Sequence, residues 1–176
     1  VLDDFFAAAF NPSTVVRFVH TILGGWMTGA LVALAIAAWL VLKGRAADKA
    51  ALLMKPALAL FAVAAVLQLG TGHAHSVQVT RTQPEKMAAF EALWRTEDGA
   101  PFTVFGIPDE KSERTLLAVR IPKMLSFLVH FDPNGRVLGL EEFPKEERPP
   151  VLLPFASYHV MILLGLGFIA MGGWGL

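Results

Sequence analysis

The sequence contains no cysteine among its 176 residues, which excludes disulfides, thiolate metal sites and cysteine-held iron-sulfur clusters. Basic and acidic residues balance to a formal net charge of zero, so no basic field exists to attract nucleic acid. Zinc-finger and P-loop spacings, internal repeats and low-complexity tracts are also lacking. The opening residues Val1-Leu2-Asp3-Asp4-Phe5-Phe6 include neither an initiator methionine nor a basic signal-peptide region, and an uncharged apolar run reaches Leu176. The chain is therefore expected to be a fragment of a longer protein.

Apolar sequence is abundant. Hydrophobic residues make up 55% of the chain and the mean hydropathy is +0.53, values that point to a membrane protein. Asn11-Pro12-Ser13-Thr14 supplies turn and cap residues ahead of residues 18–42, which contain no Lys, Arg, Asp or Glu. That run is about 37 Å of helix at about 1.5 Å per residue, enough to span a bilayer. The connection after it carries Lys43, Arg45, Lys49 and Lys55 against Asp48 alone, which by the positive-inside rule faces the cytoplasm. Residues 56–72 form a second apolar run, short for a span unless residues 50–54 extend it, and residues 151–176 form a third.

The expected fold is an all-α membrane protein of three transmembrane helices with a long extracytoplasmic loop containing short helices. Residues 1–72 hold the lead-in and the first two spans, residues 73–150 the loop, and residues 151–176 the third span. Within the loop, the pattern predicts a strand over residues 102–109, a short surface helix over 121–128 and a turn at Asp132-Pro133-Asn134-Gly135. The proline-broken, mostly acidic tract 141–150 is expected to be mobile.

The loop's central stretch is Gln83-Pro84-Glu85-Lys86-Met87-Ala88-Ala89-Phe90-Glu91-Ala92-Leu93-Trp94. Proline suits a first helical turn, so a helix is expected from Pro84 to about Arg95. Met87, Phe90 and Trp94 then share a stripe, flanked by Lys86 on one side and Glu91 on the other. Such a strip suits a flat apolar molecule with an oxygen at each end, as in a quinol headgroup. From periodicity alone it better suits a helix whose stripe packs on the protein and whose charges are solvated.

An imidazole inside a membrane helix needs a partner. His20 occupies the first span, with Gly24, Gly25 and Gly29 leaving room for a neighbouring helix or a flat macrocycle. Counted from the outer ends of their helices, His20 and Met161 lie about 12 Å and about 15 Å deep. An imidazole and a thioether at matching depth can bind a haem iron from opposite sides, giving an electron-transfer haem with no position open to oxygen. His20 also fits a structural hydrogen bond, and Met161 plain packing. His159 competes with Met161 as a bis-His ligand or a haem-propionate contact. Arg17, one turn before His20, reaches a propionate or snorkels to the interface. His73 and His75 form an H-x-H pair, a weak metal signal without a further ligand.

Assembled, these residues resemble subunit I of the cytochrome bd-type quinol oxidases. The resemblance rests on Arg17-Phe18-Val19-His20-Thr21, the Thr82–Trp94 stretch, Phe105-Gly106-Ile107-Pro108-Asp109 and Tyr158-His159-Val160-Met161. It implies that His20 and Met161 are the metal ligands of a low-spin haem b, and that Lys86 and Glu91 act in quinol oxidation at a periplasmic loop. It further implies quinol, membrane lipid, a second oxidase subunit and small accessory subunits as partners, with no nucleic acid, in the bacterial cytoplasmic (inner) membrane. A high-spin haem b and haem d, where oxygen is reduced, are expected only in the complete protein, so this stretch alone represents the quinol-facing part of the activity. Where some family members carry Asp and Arg, this chain has His73 and His159. The rival readings are another membrane b-type cytochrome with a bis-His haem, and a non-catalytic membrane assembly subunit.

Overall fold

Uncharged runs of this length satisfy their backbone polar groups most simply as helices, and the computed structural model, which describes residues 4–175, follows that rule. Helix α1 (Phe5–Ala9) is capped by the Asp4 carboxylate, which accepts from the Phe6 and Ala7 amides. After the Asn11 turn come α2 (Thr14–Leu42) and α3 (Ala47–Thr82); the chain ends in α6 (Leu152–Gly175). Among the described residues, these three helices are long and apolar enough to cross a membrane.

Helix α3 departs from the expected second span. It takes in residues on both sides of the apolar run and passes through Pro56. Its 36 residues amount to about 54 Å, well beyond the roughly 30 Å hydrocarbon core of a bilayer. The first part of the polar segment is therefore helical, and the loop begins only after Thr82.

The chain divides into two compact units, one of Val1–Gly72 with Leu163–Leu176 and the other of His73–Ile162. In the helical unit, Met27 and Ala30 of α2 pack with Phe61, Ala64 and Ala65 of α3, and Phe168 of α6 meets Phe61 edge-on at 5.8 Å. Small residues permit this approach: a Cβ on Gly172 would stand 3.1 Å from Ala62.

The second unit holds α4 (Pro84–Phe90), β1 (Glu97–Asp98), β2 (Phe102–Asp109), β3 (Arg114–Ile121), α5 (Met124–His130) and β4 (Arg136–Val137). Strands β2 and β3 form an antiparallel hairpin pairing Phe102 with Ile121 and Asp109 with Arg114, and β1 pairs antiparallel with β4. The expected strand at 102–109 is present, and so is the turn at Asp132, whose carbonyl accepts from the Gly135 amide. Strand β3 was not anticipated, and it occupies the start of the expected surface helix. That helix lies later, as α5, and buries Leu125, Ser126 and Val129.

The tract expected to be mobile is tied down instead. Glu141 accepts from the Thr96 amide at 2.9 Å and Arg148 pairs with Glu113 at 3.0 Å. Its charges find partners far away in sequence, which composition does not reveal.

Candidate functional site

Helix α4 starts at Pro84 as expected but stops at Phe90, well short of Arg95. The stop is a Schellman motif: Leu93 donates to the Ala88 carbonyl at 2.8 Å and Ala92 to Ala89 at 3.3 Å. The left-handed position is Ala92, with φ 47°, where glycine is usual.

The early stop removes Trp94 from the expected stripe and turns Glu91 inward. Met87 joins a core with Val79, Leu93, Leu125 and Val129. Trp94 packs with Leu140, Val151 and Phe155, and its indole donates to Thr115 at 3.0 Å. The apolar strip is thus largely core, not an open surface between two charges.

Glu91 is 1% exposed. Its Oε2 accepts from the Thr103 amide at 3.2 Å, and its backbone carbonyl accepts from Thr103 Oγ1 at 3.2 Å. Among the described residues, Oε1 is buried with no hydrogen-bond partner. Burial raises the carboxyl from its ordinary 4.5 to about 8, against the opposing effect of the Thr103 amide. At neutral pH Glu91 is mostly a neutral acid.

Lys86, half-buried, holds its Nζ 5.8 Å from the centre of the Phe90 ring. Phe90 in turn stacks on Tyr158 of α6 at 4.9 Å with the ring planes 7° apart, and the Tyr158 hydroxyl is 3.4 Å from Ser76 Oγ. A cation, two parallel aromatic rings and a neutral acid thus belong to one folded unit. This arrangement offers a hydrogen-bond donor for a polar oxygen, flat apolar surface, and a group that exchanges a proton near neutral pH.

His159 also belongs to this unit. Its Nδ1 lies 2.8 Å from the Phe155 carbonyl and its Nε2 lies against the Thr103 carbonyl. Both carbonyls only accept, so a neutral ring donates to one of them, and the tautomer with its proton on Nε2 donates to Thr103. Two residues on, Met161 is 49% exposed, so its thioether is not consumed by the core. His73 meets the Phe131 ring edge-on at 5.5 Å.

In the helical unit, His20 bridges two helices. Its Nδ1 is 3.1 Å from Thr71 Oγ1 and its Nε2 3.0 Å from the Gln68 amide nitrogen. With the Gln68 nitrogen donating, Nε2 presents its lone pair and Nδ1 carries the proton toward Thr71. A metal-binding imidazole with its other nitrogen oriented by a hydrogen bond uses the same tautomer. His20 therefore fits an iron ligand once the Gln68 amide turns aside. Gly72 keeps that space open, since a Cβ there would stand 3.2 Å from His20 Cε1. Around Gly25 and Gly29, a Cβ would meet nothing within 4 Å. Arg17 is exposed one turn earlier.

Sequence reasoning missed Thr103, Thr71 and Gln68. Threonine and glutamine inside apolar or strand patterns carry no motif, and only the fold gives them partners.

These features define a multi-pass membrane protein with a polar residue inside one span and a folded connecting loop built around a buried acid. The family of cytochrome bd terminal oxidase subunit I matches residues 1–176, and the chain belongs to that family. Cytochrome bd-II ubiquinol oxidase subunit 1 of Escherichia coli strain K12 is 36% identical over 151 residues, covering 84% of this chain and 29% of that protein. Cytochrome bd ubiquinol oxidase subunit 1 of Bacillus subtilis strain 168 is 31% identical, covering 98% of this chain and 39% of that protein. The solved bd oxidase from Geobacillus thermodenitrificans superposes with a TM-score of 0.89 at 29% identity, over 98% of this chain and 40% of that one. The chain spans less than half the length of these relatives. The family read from the motifs and the mostly helical, three-span architecture are both borne out.

Proposed function

We propose that this chain is the quinol-oxidising part of a respiratory terminal oxidase, set in the inner membrane with the loop on the periplasmic side. The observation that carries the reading is Glu91: a buried carboxyl with one oxygen unpartnered, in the same unit as Lys86 and the Phe90 and Tyr158 rings. A carboxyl of this kind is matched to accept a proton from a hydroxyl that is losing electrons. Lys86 hydrogen-bonds a quinol oxygen and stabilises the negative charge that develops on it. Glu91, once deprotonated, takes the proton from a quinol hydroxyl and passes it to the outer face.

His20 and Met161 would hold a low-spin haem b, with Arg17 beside a propionate, and bound there the haem would supply a one-electron acceptor of raised potential. The Thr71 contact would orient the His20 ring, leaving Nε2 as the nitrogen available to the iron. Oxygen reduction belongs to a high-spin haem b and haem d held by parts of the oxidase outside this stretch, together with a second subunit and small accessory subunits. Two of the relatives are named for ubiquinol, and another Bacillus subtilis relative, 32% identical over 93% of this chain, is named as a putative menaquinol oxidase subunit, so both quinols are to be tried.

The test is steady-state quinol oxidation by the whole oxidase carrying Glu91→Gln or Lys86→Met. Glu91→Gln keeps shape and lowers kcat roughly a hundredfold, the scale of a lost general base. Lys86→Met raises the quinol KM roughly tenfold, the scale of a lost hydrogen bond from a charged donor. Wild-type rates in both variants, with haem content unchanged, would sink the reading. A folded oxidase that takes up no haem would instead favour the assembly-subunit alternative.

A further inference from the structure

His159 is built into the same unit as Glu91 and touches it through one residue. Its ring packs against the Phe155 ring at 4.1 Å, with Nδ1 2.8 Å from the Phe155 carbonyl of its own helix. Phe102, the neighbour of Thr103, flanks it at 5.8 Å. In the tautomer that carries its proton on Nε2, the ring donates to the Thr103 carbonyl. Thr103 spends its own donors on Glu91, the amide on Oε2 and the hydroxyl on the backbone carbonyl. Thr103 is buried, 2% exposed, as is Glu91.

We propose that His159 is a positioning residue for Glu91: by anchoring the Thr103 carbonyl it fixes the backbone whose amide orients the Glu91 carboxyl for proton transfer.

The inference rests on the proposed role of Glu91 for its effect on rate, but its geometry stands without that role. Loss of the anchor frees the peptide planes on either side of the Thr103 Cα. The 3.2 Å amide contact to Oε2 is already at the long end for an N–H···O bond, so a small displacement breaks it. A buried carboxyl without its donor then binds its proton more firmly and presents it in altered geometry.

The experiment compares His159→Phe, which keeps a ring but no donor, with His159→Gln, which keeps an amide donor, in the whole haem-replete oxidase. Infrared difference spectra report the carbonyl stretch of the neutral Glu91 carboxyl, assigned by its loss in Glu91→Gln. The expected result is a displaced band in His159→Phe, a band near the wild-type position in His159→Gln, and quinol turnover at fixed pH lowered about threefold to tenfold in His159→Phe only, the scale of one lost neutral hydrogen bond. His159→Met, unbranched and without a donor, replaces His159→Phe if that variant does not assemble. A Glu91 band unmoved in the donor-free variant overturns the proposal. A displaced band together with wild-type turnover in Glu91→Gln would retain the positioning contact and remove the quinol role of Glu91, so the two failures are distinguishable.

Discussion

Thr103 holds Glu91 at two points, its amide on the carboxyl oxygen Oε2 at 3.2 Å and its hydroxyl on the backbone carbonyl at 3.2 Å. The first residues of β2 thereby fasten the end of α4 and the inward carboxyl group that follows it. The hydroxyl contact also satisfies the Glu91 carbonyl, which lies at the end of the helix where no intrahelical donor follows.

Thr103→Val conserves volume but leaves that buried carbonyl without the hydroxyl. The expected cost is about 1–2 kcal/mol, read as a lower thermal midpoint of the detergent-solubilised oxidase. An unchanged midpoint would show that the carbonyl finds another donor.

Glu91 sets a pH dependence whose sign is fixed by burial. Its folded value of about 8 lies above the ordinary 4.5, so between those values the folded protein retains a proton that the unfolded chain has lost. The contribution of this group to stability is fully present below about pH 4.5 and is lost as pH rises through about 8. Quinol oxidation by the wild type, which needs the deprotonated base, should rise with pH toward the same value. Rate and stability profiles of Glu91→Gln should lose these opposed slopes; a variant that retains both would place the titration elsewhere.

His20 and Met161 differ in what they support. His20→Ala removes the contacts to Thr71 and Gln68 between two helices, so it should lose the low-spin b-type signal and also lower stability. Met161 is 49% exposed, and Met161→Leu should leave stability within about 0.5 kcal/mol of wild type while altering the same signal. Reduced-minus-oxidised absorption spectra beside thermal melts separate the two, and a normal spectrum in Met161→Leu would remove it as a ligand.

Gly139 precedes the 3-10 turn Leu140–Glu142. A Cβ there would collide with the backbone carbonyl group of Arg95, and neighbouring amides are already committed, Leu140 to the Leu93 carbonyl at 2.9 Å and Glu141 to Trp94 at 3.1 Å. Neither backbone can withdraw cheaply. Gly139→Ala should destabilise the loop by about 1–3 kcal/mol, seen as reduced assembly of the oxidase or faster limited proteolysis of the loop.

The sequence by itself determined the three membrane-length helices, because hydropathy is a local property that no tertiary contact has to supply. It also determined the family, through residue strings that include His20, Lys86, Glu91 and Met161. The start of α4 was legible because Pro84 carries its own conformational preference. Its end was not, because the left-handed residue is Ala92 and not a glycine, and continuing the helical period past it put Trp94 and Glu91 on the wrong faces. Strand β3 was likewise unreadable: its apolar residues, including Leu117 at 75% exposure and Val119 at 57%, follow no alternating burial, and its structure comes from pairing with β2. Only the tertiary structure decided that Glu91 is a buried neutral acid and that His159 points at Thr103. Both depend on residues distant in the chain meeting, and the free energies that decide them, desolvation and hydrogen bonding, exist only once that meeting has occurred.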